Sequence, residues 1–360
     1  DFETPLSTGG NVYSVIAVAS DGSANTNQNI EVTVTNVVEL AGRVTDGPIA
    51  GASVFVDLNC NNAADAGEPT GTTDADGYFE ISSGIVAQEG CDPKIIATGG
   101  TDTATGEDRA GVALVSDLPA GEANSNVSPL TTILAAADTA EAKQAVLTAL
   151  GFSEDTTVDD ILTIDSWAGA EADDAASQAI QRVNTQLATI MSTAASVADD
   201  GDAATDNSIA LALAVANAVL SQVEAAAATD DTSVDLTASD TVASVLTDTV
   251  AEAAPDLVVT EAVINAVASV VATVNTVAAD TTVNPTSAQA IAVATVAQTS
   301  VQDSVADVVS GETTVEEFET ATDAGTILAD VPTDPDAPDF DSDGLADSVD
   351  PDDDNDGVND

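Results

Sequence analysis

Side chains alternate between apolar and polar over residues 1–38, with Val12, Ile16 and Val18 and then Ile30, Val32 and Val34 at even spacings around Ser20-Asp21-Gly22-Ser23. A period of two broken by a Gly-containing tetrad predicts two strands and a turn. From 39 to about 122, short apolar runs such as Val54-Phe-Val56 and Lys94-Ile-Ile-Ala-Thr98 are separated by Gly, Asp and Asn clusters, which predicts a second β region. After Asn126-Val-Ser128-Pro129 the apolar spacing changes to three and four. Ser128 is a plausible N-cap with Pro129 at the first helical position, and Asp138-Thr-Ala-Glu141 reads as a capping box before a helix ending at Gly151. Long Ala/Val/Leu segments follow at about 171–198, 206–228, 238–253, 259–279 and 285–309. Their separators are Asp199-Asp200-Gly201-Asp202, Pro255 and Asn284-Pro285. Valines at 263, 267, 270, 271 and 274 assign the β-branched fourth of these to helix rather than strand. Residues 329–338 form a Pro-rich, semi-rigid linker, and 339–360 have no apolar period at all.

Composition changes the picture mainly through charge. Five basic residues face 63 acidic ones, a formal charge of −58, and no Lys or Arg follows Arg182. Nucleic acid is excluded as a partner by repulsion, and stability is expected to depend on the ionic medium. Adaptation to high salt, or a merely soluble surface, accounts equally well for the acids of the helical middle. Hydrophobic residues at 44% with aromatics at 2% argue for small-residue cores rather than disorder. Each buried Ala removes little area from water, so at ~25 cal/mol per Å2 such a bundle needs many helices. The uncharged Ser208–Val223 stretch is the nearest approach to a membrane span. It is short and interrupted by Asn217, Ser221 and Gln222, so a packed helix is expected and no span in this chain.

Histidine is absent, which removes the usual proton shuttle and the usual base for Ser or Cys nucleophiles. One Trp (Trp167, expected to cap the helical core) and two Tyr (Tyr13, Tyr78) leave no aromatic lining for a carboxylate-pair glycosidase cleft, and the chain is expected not to be an enzyme. The acids are patterned instead for a hard cation. Asp339, Asp341, Asp343, Asp347 and Asp350 occupy positions 1, 3, 5, 9 and 12 of a calcium loop, with Gly344 at 6 and the Leu345 carbonyl at 7. A second copy has Asp352, Asp354, Asp356, Gly357, the Val358 carbonyl and Asp360. A third candidate lies upstream: Asp57, Asn59, Asn61, Asp65 and Glu68 with the Ala63 carbonyl, where Asn62 replaces the position-6 glycine and tolerates the left-handed backbone. The alternatives are an acidic disordered tail for the first two and a polar hairpin loop for the third. Asp74 and Asp76 before Gly77 read as turn formers. Cys60 lies inside the third loop; a disulfide to Cys91 in an oxidising compartment is favoured over two free thiols.

Several stretches resemble known families. Residues 1–38, from Asp1-Phe-Glu-Thr-Pro5 through Ala19-Ser-Asp-Gly22 to Asn36-Val-Val-Glu39, resemble the last strands of a cadherin-like domain; the resemblance implies calcium at Glu3 and Asp21, although the exit lacks that family's aspartate-rich linker. Residues 39–125 resemble the prealbumin-like β-sandwiches of bacterial surface proteins, the collagen-adhesin B-type and carboxypeptidase regulatory-like group, which implies the calcium loop closed by Glu68. That family's Lys–Asn crosslink is not implied, because the domain's one lysine, Lys94, is far from the first strand. Residues 126–328 resemble helical modules of large secreted proteins, and 339–360 resemble thrombospondin type 3 repeats wound around calcium. The expected fold class is therefore multidomain: β-sandwich modules, an all-α Ala-rich helical bundle and a calcium-loop tail. The chain begins within a motif and stops within a repeat, with no initiator Met or signal peptide, and reads as part of a longer exported protein. Its expected role is a calcium-dependent extracellular stalk, adhesin or matrix segment. Its partners would be neighbouring domains of the same longer chain, other protomers or a cell-surface target. A self-assembling subunit of a surface layer or filament is the alternative, and a ligand-binding helical module a weaker one.

Overall fold

The computed structural model describes residues 12–33, 40–81, 85, 87–118, 124–198, 207–229 and 233–322. Glu3, the 329–338 linker and both loops of Asp339–Asp360 lie outside the described residues. Small antiparallel sheets occupy the N-terminal half and helices the remainder. β1 (Val12–Ser20) and β2 (Asn25–Thr33) pair with Tyr13 opposite Val32 and Val15 opposite Ile30, so Ile30 and Val32 share a face with Tyr13 and Val15, while Ile16 and Val18 lie on the other face opposite Asn29 and Asn27. Asp21 shapes the turn between them, its Oδ1 accepting the Ser23 and Ala24 N–H groups at 2.8 Å each.

Eight further strands follow. β3 (Leu40–Arg43) pairs with β7 (Tyr78–Ile81), and β4 (Ile49–Ala50) with β9 (Thr101–Asp102). A four-stranded sheet holds β5 (Ser53–Asp57) between β6 (Thr70–Thr72) and β8 (Lys94–Thr98), with β10 (Ala113–Asp117) outside β8. Its central strands are apolar without alternation because both faces are covered. Val54 and Val56 belong to the main core. Phe55, Ile96 and Val115 form a second cluster with Ala135, Ile209 and Leu213, so helical residues roof one face of the sheet.

The helices are α1 (Pro129–Ala136), α2 (Ala140–Ala149), α3 (Val158–Thr163), α4 (Ser166–Glu171), α5 (Ala175–Ala198), α6 (Ser208–Ala228), α7 (Ser239–Ala253), α8 (Glu261–Ala278), α9 (Ala288–Gln298), α10 (Ser300–Ser310) and α11 (Val315–Ala321). Ser128 caps α1 with Pro129 in its first turn, and Thr131 answers it in a capping box. The cap of α2 is Thr139, whose side chain accepts from Ala142 N–H, and not Asp138; with Ala142 at the third helical position the reciprocal bond of a capping box is not made. The 171–198 segment is one helix, α5, which starts at Ala175 after the short α4 ends at Glu171. Asp173 takes φ 61° between α4 and α5, and the Asp174 carboxylate accepts the Ser177 N–H at 2.9 Å to start α5. The 285–309 segment divides at Thr299. There the Gln302 Nε2 donates to the Ala297 carbonyl at 2.8 Å, satisfying an acceptor the break would strand, and to Thr193 Oγ1 of α5 at 3.1 Å.

One hydrophobic cluster runs from Leu40 in β3 to Phe318 in α11, so strands and helices share a core. α5 lies at its centre, packed on α1, α4, α6, α7, α8, α9 and α10. Among the described residues two helices, α6 and α8, are long and apolar enough to cross a membrane; the sequence pattern had marked only the first. Each contributes a buried stripe to this core: Leu211, Val215 and Val219 on α6, Val263, Val267 and Val271 on α8. Because Leu187 on α5 is fully buried and its neighbours are pinned, Leu187→Ala should lower stability by about 2–5 kcal/mol, read from the urea midpoint; a loss under about 1 kcal/mol would contradict a central, well-packed α5.

Candidate functional site

β5 ends in Asp57, and the chain folds back around its carboxylate. Oδ1 accepts the N–H groups of Asn59 (3.2 Å) and Asn61 (3.3 Å), and Oδ2 accepts that of Asn62 (2.7 Å). Two residues, Cys60 at φ 61° and Asn62 at φ 57°, take the left-handed backbone this reversal needs. The side-chain amides of Asn59 and Asn61 donate to one oxygen, Asp65 Oδ2, at 2.8 and 2.7 Å, and hold its carboxyl below the usual range. Glu68 closes the loop: Oε1 accepts from Leu58 N–H (2.8 Å) and Oε2 from Asp65 N–H (3.0 Å). Cys60 is disulfide-bonded to Cys91, with Cα atoms 5.7 Å apart, which pins the loop to the segment preceding β8.

The side chains of Asp57, Asn59, Asn61, Asp65 and Glu68 are thus gathered into one loop, with Ala63 at its tip. Their atom types fit calcium, which prefers oxygen donors from mixed carboxylates and amides. Their orientation is that of a self-closed loop: amide hydrogens of Asn59 and Asn61 meet Asp65 where a cation would, and their oxygens accept N–H groups of Asn61 (3.0 Å) and Ala63 (2.9 Å). A cation requires both amides to turn over. Among the described residues no group of three or more acidic or cysteine side chains is set to hold a metal as it stands. Asp74 Oδ1 accepts from Asp76 and Tyr78 N–H groups and forms a turn, as its sequence context predicts.

Sequence reasoning passed over a second concentration of charge, the joint between strands and helices. Arg43 of β3 pairs with Asp165, the N-cap of α4, at 3.0 Å; its guanidinium lies 4.8 Å from the Tyr78 ring centre, and Tyr78 Oη donates to the same carboxylate at 2.7 Å. Lys94 of β8 and Lys143 of α2 share Asp117. Arg109, 2% exposed, lies within 2.6 Å of Asp46 Oδ2 and 3.0 Å of Glu107 Oε2, and donates to Ser192 Oγ on α5 at 3.0 Å. Gln181, also on α5, donates to the Asp46 carbonyl. Asp102 packs on Gly47 so closely that a Cβ there would lie 2.4 Å from Asp102 Oδ1. The fifth cation, Arg182 on α5, donates to the carbonyls of Asp280 (3.2 Å) and Val283 (3.0 Å) beyond the end of α8. The signal was available in the sequence: with so few cations, Arg109 inside Gly106-Glu-Asp-Arg109 was worth marking.

Two of the cavities lie among the long helices. An apolar one beside Val274, Val277 and Val293 holds about 20 Å3, room for one water. A groove of about 680 Å3 between α7 and α8 is open, largely polar and rimmed by Asp240, Asp248 and Glu261.

Burial, with repulsion from Asp46, raises Asp102 to about 6, and burial raises Glu107 to about 7 against the pull of Arg109. Both folded values exceed the unfolded ones, so the stability these groups contribute is complete below about pH 4 and lost as pH climbs through 6 and 7. With chelator present and ionic strength fixed, the unfolding free energy should fall by a few kcal/mol between pH 5 and 8, and the Asp102→Asn, Glu107→Gln double variant should flatten that slope. An unchanged slope in the variant would place the pH dependence elsewhere.

No protein-family model, curated protein or solved structure matches this chain.

Proposed function

We propose that the chain is a non-enzymatic, calcium-stabilised segment of an extracellular surface, adhesion or matrix protein, acting as a stiff spacer. In this reading residues 39–125 are a prealbumin-like β-sandwich, 126–328 an Ala-rich bundle, and Asp339–Asp350 with Asp352–Asp360 are thrombospondin-type loops that continue the rod. The observation that carries it is the Asp57–Glu68 loop, which collects five oxygen-bearing side chains and is pinned by the Cys60–Cys91 disulfide, a bond suited to an oxidising compartment. Calcium would displace the two amide hydrogens at Asp65, neutralise clustered carboxylates and fix the loop. Because the amides must turn, affinity belongs in the weak extracellular range, roughly 10⁻⁴ to 10⁻³ M.

A second reading, a self-assembling subunit, is favoured by one observation: among the described residues, five of the seven exposed large apolar side chains (Val15, Ile16, Val18, Ile30 and Val32) lie on the β1–β2 hairpin. Calorimetric calcium titration of chelator-stripped protein, with melting curves and sedimentation, separates the two. The spacer reading expects two or more sites, a higher melting temperature and a monomer, with Glu68→Gln removing one site. No heat at millimolar calcium would overturn it, and mass that grows with protein concentration would favour assembly.

A further inference from the structure

Both cysteines of the chain belong to the Asp57–Glu68 loop and the segment beside it. Cys60 stands fourth in the loop, between Asn59 and Asn61, whose amides meet at Asp65 Oδ2. Its backbone is the unusual one. At φ 61° Cys60 occupies the left-handed region, where a Cβ is unfavourable and which Gly, Asn and Asp enter most readily. Asn62, two residues on at φ 57°, is one of those residues and Cys60 is not. A Cys side chain lacks the local hydrogen bond by which Asn or Asp supports that backbone. The conformation is therefore imposed from outside, by the Asp57 carboxylate that accepts the N–H groups of Asn59, Asn61 and Asn62, and by the bond to Cys91.

The far end of that bond is fixed independently. Gln88 N–H donates to the Leu58 carbonyl at 3.0 Å, Cys91 N–H donates to the Gln88 carbonyl at 3.1 Å, and Lys94 of β8 stands opposite Asp57 of β5. The disulfide is thus a strut from a braced segment to the residue that sets the spacing of the two amides. Cys60 is exposed and Cys91 half-buried, so a small reductant reaches it.

We propose that the Cys60–Cys91 disulfide is a redox switch for calcium. Oxidised, it holds Cys60 left-handed and keeps Asn59, Asn61 and Asp65 converged. Reduced, it lets Cys60 leave that region, the oxygen donors separate, and calcium affinity falls about tenfold. In reduction a dithiol gives two electrons and two protons to the bond, leaving two thiols and the dithiol's own disulfide; the reverse exchange, with a disulfide-bearing oxidant, closes it. The loop becomes ready for calcium only where such an oxidant is present, which defers stiffening until the chain reaches an oxidising compartment. The inference rests on the loop being a calcium site and adds the control of that site.

The thiol–disulfide equilibrium of the full chain with reduced and oxidised dithiothreitol tests it, at constant pH and ionic strength, with calcium, magnesium or chelator. Reduction acts at one bond, so free thiol reports the loop alone. Linkage requires calcium to protect the disulfide by the same factor by which the disulfide strengthens calcium binding. At about 10 mM calcium the dithiothreitol ratio at half-reduction should rise roughly fivefold or more, and less with magnesium, which gives up its waters reluctantly. Glu68→Gln keeps both cysteines and should abolish the calcium shift; Asp65→Asn should do the same and covers the case in which the first variant fails to fold. An undiminished shift in either folded variant would overturn the proposal by placing the effect elsewhere in the fold. No shift in the unaltered chain would overturn it as well. Calorimetry of the oxidised chain then tells the two failures apart: calcium heat that is lost in Glu68→Gln leaves the loop reading standing without its switch, and no such heat ends both.

Discussion

Five positive side chains serve a chain carrying 63 negative ones, and each of the five is placed at a joint. Arg43, Lys94, Lys143 and Arg109 connect strands to helices; Arg182 ties α5 to the loop beyond α8. An exposed ion pair is worth little, but Arg109 is buried with Asp46, where losing one partner strands the other's charge. The joints matter because like charges elsewhere push the surface apart. Positive charge concentrated at the strand–helix boundary opposes that repulsion where separation would begin.

Packing makes the same connection. The four-stranded sheet cannot be finished by strands alone, since Phe55, Ile96 and Val115 are covered by Ala135, Ile209 and Leu213. Small side chains give each helix pair little buried area, and the bundle compensates by wrapping α5 on many sides and by continuing its core into the strands. The Asp57–Glu68 loop lies at the end of a central strand, β5, so whatever stiffens that loop acts on a strand embedded in the shared core.

Much of this was legible as periodicity. The hairpin, the Ser128-Pro129 helix start and the valine-rich α8 follow from local spacing and capping, which need no knowledge of distant residues. The division at Thr299 was not legible, because the interaction that makes it tolerable, Gln302 with Thr193, joins residues 109 apart in sequence. The loop was readable as a set of oxygens at fixed spacing. The amide orientation inside it was not, since Asn presents either end to Asp65 and only the surrounding N–H groups decide. Asp46 meets Asp102, Glu107 and Arg109 only through the fold, although the rarity of basic residues made Arg109 worth marking.

The account rests on strands and helices being a single folding unit joined through that boundary. Native-state hydrogen exchange tests this most directly, comparing amides of Val54 and Ile96 in the sheet with those of Leu187 and Ile190 in α5, all buried. A shared core predicts that the slowest amides of both regions exchange with one free energy, equal to that of global unfolding. Strand amides that keep their protection while α5 opens at lower free energy, or the reverse, would contradict it.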